Sequence, residues 1–199
     1  MLPPWLGYIT IVISLTASGF YIRDMLRGKT KPNRVSWFIW AVAPLIGAGV
    51  EFAHGAGARV IPTFMSGFSP IIIFTFALFV KSAYWKIEKF DIVCGILSLI
   101  AIYFWLVLGQ GTLAVVFAVL ADAFAAVPTL RKAWRYPETE TSLSYLMYTS
   151  NAVISILIAR SFSISALLFP IYFFFMNAAA AFAINRRKLF PARANPAGE

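Results

Sequence analysis

GFYIRDMLRGKTKPNRVSWFIWA, Gly19 to Ala41, ends one apolar run, crosses a short basic loop and enters another through a Ser-Trp-x-x-Trp step. Shifted by 108 positions without a gap, the chain reads VPTLRKAWRYPETETSLSYLMYT, Val127 to Thr149. Arg23 falls on Arg131, Arg27 on Arg135 and Ser36 on Ser144, while Trp37 and Trp40 fall on Tyr145 and Tyr148. The same passage from helix through loop to helix is written twice, so the fold is read as a duplicated unit.

Composition says where such units reside. Of the 199 residues, 60% are hydrophobic and 13% charged, roughly half the charged share of a soluble domain. A buried core of this size needs less apolar surface than that, whereas a lipid-facing exterior needs it all. The net charge of +9 does not point to nucleic acid, because the cations sit in short loops beside apolar runs, as in helices oriented by a bilayer. The single cysteine, Cys94, lies in an apolar run and rules out an internal disulfide. The opening MLPPWLG lacks a positive stretch, so the first run is expected to persist as a helix.

A span needs about 20 apolar residues to cross about 30 Å of hydrocarbon. Seven runs qualify: Pro4–Ile22, Val35–Ala53, Phe64–Ser82, Ile92–Leu108, Thr112–Leu130, Leu143–Ala159 and Ile164–Ile184. Lys and Arg cluster in the first, third and fifth loops (for example Arg23, Lys31, Lys86, Arg131) and in the C-terminal tail. Only Arg59 and Arg160 lie on the other side, leaving fifteen of seventeen cations on one side. The positive-inside rule then puts the N-terminus outside and the C-terminus in the cytoplasm, with the cell's inner membrane as the expected location. Both copies of the repeat thus cross in the same direction, and helix 4 is the extra element that makes them parallel. The expected organisation is all-α and polytopic: residues 1–90 and 111–188 form two three-helix units, 91–110 a linker helix and 189–199 a cytoplasmic tail. Such parallel repeats are one recognised transporter plan.

On this layout and its doubled loop the chain resembles the SWEET and PQ-loop superfamily of small-solute transporters, whose seven-helix members share the 3+1+3 design. The family's Pro-Gln motif lies near the cytoplasmic ends of helices 1 and 5, where this chain has Phe20-Tyr21 and Pro128-Thr129. The resemblance implies a proline hinge for gating, kept here at Pro128, with Gly19 offering flexibility in the first unit. It also implies that an asparagine in the last helix of a repeat contacts substrate, the place Asn177 occupies.

The residues themselves single out Asp122, with ten residues before it in its span and eight after. An acid there costs roughly 2.5–3.5 kcal/mol on insertion scales, so it should face the interior or a wet cavity. Proton coupling and direct solute contact both use such a group; a protonated acid bonded to a serine or tyrosine is the plainer alternative. Asn151 and Asn177 lie within spans, where they can join helices or touch a ligand. Tyr148 and Asn151 are three apart and share one side of helix 6. Trp40 takes Tyr148's place in the first unit, and their rings can stack on a solute. Trp37 and Tyr145 suit the interfacial aromatic belt, as do Trp5, Trp85 and Trp134. Glu51 and His54 could pair at the outer end of helix 2, but one of each is no metal site. RKAWRYPETET reads as a solvated mixed-charge turn.

The expected function is therefore a uniporter or proton-coupled carrier that moves a small polar solute, such as a sugar, amino acid or vitamin, by alternating access. Trp40, Tyr148, Asn151 and Asn177 would bind it, Asp122 would couple protons, and Gly19 and Pro128 would gate. A seven-helix receptor or membrane assembly subunit of the same fold is the alternative. No enzyme motif, cofactor, metal or nucleic-acid partner is implied; the partners are the solute and lipid, with homo-oligomerisation open.

Overall fold

The fold is given by a computed structural model, described for residues 3–53, 55, 57–81, 85–108, 112–159 and 162–190. Among them lie seven α-helices: α1 (Gly7–Leu26), α2 (Arg34–Ala53), α3 (Ile61–Phe79), α4 (Lys89–Leu108), α5 (Thr112–Arg135), α6 (Ser142–Leu157) and α7 (Ile164–Leu189). Each apolar run of the sequence holds one of them. His54 lies outside the described residues, and with it the expected Glu51–His54 pairing, as does most of the C-terminal tail.

Local chemistry explains the ends. Gly28 turns the chain out of α1 with a φ of 71°, a conformation that a side chain disfavours. Asn33 then caps α2, its Oδ1 accepting from the Val35 and Ser36 amides at 3.1 and 3.3 Å. Ser163 does the same for α7 through Ala166 N at 3.3 Å. Arg186, Arg187 and Lys188 occupy the last turn of α7, where cations complement the helix dipole.

Four segments are long and apolar enough to cross a membrane: Gly7–Leu26, Gly57–Phe79, Lys89–Leu108 and Ala166–Leu189. Their outer faces carry large apolar side chains, among them Val12, Phe79, Val107 and Phe175, which are mostly exposed. This is the surface of a helical membrane protein. The sixteen residues of α6 are shorter and include Ser144, Thr149, Ser150 and Asn151, because much of that helix faces inward.

Contacts between helices follow one pattern twice. α3 packs against both α1 and α2, and α7 packs against both α5 and α6. The two triplets meet where α1 lies on α6 and α2 on α5, while α4 packs on α5 and α2. Small residues permit these approaches: a Cβ on Gly67 would sit 2.9 Å from the Leu45 amide nitrogen, and Ala17, Ala121, Ala125 and Ala180 are fully buried. Helix-interior prolines occur at Pro44, Pro70, Pro128 and Pro170, where neighbouring helices must satisfy the freed carbonyls.

Candidate functional site

A cavity with about 60 Å³ of space open to the centre of a water molecule, within about 680 Å³ of empty space that includes its open mouth, lies between the two triplets. Asp122, Trp40, Tyr148, Asn151 and Asn177 all line it, so five residues singled out from sequence on α2, α5, α6 and α7 converge on one space. Gly19 does not: it faces outward, with nothing within 4 Å of where its Cβ would be. Pro128 is buried within α5, away from the lining.

Asp122 is buried and accepts a 2.7 Å hydrogen bond from the Tyr172 hydroxyl on α7. Its backbone carbonyl accepts from Trp40 Nε1 at 3.4 Å. On the facing wall, Asn151 Nδ2 donates to Ser14 Oγ at 2.6 Å, while Asn151 Oδ1 is buried without a partner. The hydroxyls of Ser18 and Tyr148 lie 3.1 Å apart, and Asn177 Nδ2 donates back to Phe173 O at 2.8 Å. Sequence reading passed over Tyr172, which hides in the aromatic run FPIYFFF. It also passed over the Thr10-Ser14-Ser18 stripe of α1, although polar residues spaced by four in an apolar span are a legible sign of a buried face.

Trp37 and Tyr145 are not belt residues. Each is 1% exposed and lines the floor of the cavity, with Trp37 meeting Trp40 edge-on at 5.2 Å between ring centroids. Their polar ends explain this. Trp37 Nε1 donates to Tyr21 Oη at 3.3 Å, and the Tyr21 and Tyr145 hydroxyls both donate to Glu140 Oε2, at 2.8 and 3.1 Å.

Nor is RKAWRYPETET a solvated turn. Lys132 Nζ lies 2.6 Å from Glu140 Oε1, and both side chains are almost completely buried, at 1% and 0% exposure. Lys132 also donates to the Lys31 carbonyl and stands 5.0 Å from the centroid of Trp85, a ring expected only in the belt. Burial pushes the Lys132 ammonium down from its ordinary range, and Glu140 beside it pushes it back up. Around this pair, the Thr30 and Thr141 hydroxyls are 2.6 Å apart, Thr129 donates to Ser36 at 2.8 Å, and Ser144 donates to Ala17 O at 2.7 Å. Each of these bonds joins the first triplet or its loop to the second. Together they form a latch beneath the aromatic floor.

The opposite end is less buried among the described residues. Pro62, Thr63, Ser155 and Phe169 line the cavity there and are only partly buried. One regularity spans the whole lining. Ser14 and Asp122, Trp37 and Tyr145, Trp40 and Tyr148, and Pro62 and Pro170 each stand 108 positions apart, and all eight residues line the cavity. The proline pair was legible in the sequence and supplies a repeat position outside the loops. No family model, curated protein or solved structure matches this chain.

Proposed function

We infer that this chain is a membrane transporter that moves a small solute by alternating access between two like-oriented three-helix units. The observation that carries the reading is the set of four residue pairs, 108 apart, that face one cavity. A duplicated unit whose matching positions converge on one pocket is the arrangement by which repeat-built carriers make a central site. The repeated packing order, with α3 between its two partners and α7 between its own, supports the same reading. So does the resemblance to the SWEET and PQ-loop superfamily.

On this reading all seven helices cross the inner membrane, residues 1–90 and 111–188 are the two units, and α4 links them. The cationic loops are cytoplasmic and the N-terminus is outside. The latch of Lys132, Glu140, Tyr21 and Tyr145 then closes the cytoplasmic end, and the partly buried end faces outward. Transport requires the latch to part while the outer walls approach. Pro128 lies between Asp122 and the latch on α5, where a missing backbone bond lets the helix flex. Trp40, Tyr148, Asn151 and Asn177 hold the solute at mid-depth, and Asp122 is the group that takes up a proton or the solute.

The test is uptake by proteoliposomes from a panel of sugars, amino acids and vitamins, with and without a pH gradient, comparing the native chain with Asp122→Asn. Uptake of one solute class above empty vesicles, altered in rate or pH dependence by the substitution, is expected. If no solute on any panel crosses, the transport reading fails; if uptake is indifferent to Asp122→Asn, the proton-site assignment fails.

A further inference from the structure

The cavity's polar groups are not evenly divided between donors and acceptors. Trp37 and Trp40 give their indole N–H groups to Tyr21 and the Asp122 carbonyl. Tyr145 gives its hydroxyl proton to Glu140, and Tyr172 gives its own to Asp122. The amide groups of Asn151 and Asn177 donate to Ser14 and Phe173. The wall thus directs these donors onto itself. Two acceptors remain on the lining residues, the Asp122 carboxyl and Asn151 Oδ1, the latter buried with no hydrogen-bond partner, while the Ser14 and Tyr148 hydroxyls can act either way.

Charge runs the same way. Among the described residues that line the cavity there is no Lys, Arg or His. The nearest cations along α5 are Arg131 and Lys132, nine and ten residues on and about 13–15 Å away by helical rise, and they are paired with Glu88 and Glu140. A carboxylate in an apolar site without a counter-ion is costly, and a bound cation would remove that cost. The wall is also rich in aromatic rings: Trp37, Trp40, Tyr145, Tyr148, Phe169 and Phe173. Ring faces attract cations, most strongly when water is excluded.

We propose that the solute is an organic monocation, an ammonium group on a small apolar body, held between the Asp122 carboxylate and Asn151 Oδ1 and enclosed by the aromatic rings. This rests on the transport reading for its direction of movement, but not for its binding chemistry. It disfavours anions, which would meet an acid and, among the described lining residues, no cation. It also disfavours zwitterionic amino acids, whose carboxylate would find no positive partner on this wall.

The experiment is titration of the purified full chain in nanodiscs with benzyltrimethylammonium, benzyl alcohol and benzoate, followed by tryptophan fluorescence and calorimetry. The native chain should bind the cation about tenfold or more tighter than either of the others. Asp122→Asn should weaken cation binding by about tenfold and leave benzyl alcohol within about twofold. Tyr172→Phe, which keeps the carboxylate and removes one donor from it, should bind the cation at least as well as the native chain. Equal affinity for the cation and benzyl alcohol, or tighter binding of benzoate, overturns the proposal on the native chain alone, so it does not depend on Asp122→Asn folding. Cation binding indifferent to Asp122→Asn overturns it too. A flux arm separates this from transport itself. If the cation binds but no solute crosses proteoliposomes, the ligand class stands and the carrier reading falls. If a neutral sugar crosses while the cation neither binds nor crosses, the reverse holds.

Discussion

The two ends of the cavity are built differently. At the end beside the basic loops, the buried Lys132–Glu140 pair of the second triplet is tied to the first by Tyr21, which donates to Glu140, and by the Lys31 carbonyl, which accepts from Lys132, and threonine and serine hydroxyls bridge the two triplets beside it. At the other, Pro62, Ser155 and Phe169 stand only partly buried, and Ser155 bonds back to the Asn151 carbonyl of its own helix. The contrast teaches which end is closed and what closes it. Ions and hydrogen bonds of defined geometry either form or break, so the latched end has a discrete alternative.

Substitutions placed along this gradient should reproduce it. Lys132→Met strands the Glu140 carboxylate away from water and should cost about 3–5 kcal/mol, measured by unfolding of the purified protein. Combining it with Glu140→Leu should recover most of that loss, and a double variant no better than the single would show that the pair is not coupled. Tyr21→Phe removes one donor from a charged acceptor and should cost about 1.5–3 kcal/mol. Accessibility reports the same end by another route. With Cys94→Ser as background, a thiol introduced by Ser36→Cys should react slowly with an impermeant maleimide applied from the loop side. Adding Glu140→Ala should raise that rate about tenfold, equivalent to ~1.4 kcal/mol. At mid-depth, Tyr148→Phe loses its partner Ser18 and should cost about 0.5–1.5 kcal/mol. At the less buried end, Ser155→Ala should stay within about 0.5 kcal/mol. A flat series would mean that the two ends are equally secured.

The helices were legible because uninterrupted apolar runs and their caps are local signals: Asn33 and Gly28 mark their turns wherever the chain goes next. Much of the cavity was legible too, since Asp122, Asn151 and Asn177 are polar groups within apolar runs that must find company inside. The latch was not. Nothing within RKAWRYPETET says that Lys132 and Glu140 are buried, because what buries them is Tyr21, Thr30 and the Lys31 carbonyl, about a hundred positions away. Trp37 and Tyr145 were assigned to the membrane interface on their proximity to the loops. Their hydrogen-bond partners, invisible in sequence, turn them inward. Tyr172 was lost among phenylalanines for the opposite reason, since one hydroxyl in an aromatic run does not disclose which neighbour it reaches.

One helix carries two of the buried charged side chains: Asp122 at the cavity and, beyond Pro128, Lys132 at the latch. On the proposed reading, occupancy at the first and rupture at the second are linked equilibria, and linkage is reciprocal. The factor by which a bound solute raises the ratio of parted to joined loops is then the factor by which parting them lowers the solute's dissociation constant. A single pair of titrations, of ligand against Glu140→Ala and of loop labelling against ligand, therefore measures one quantity twice.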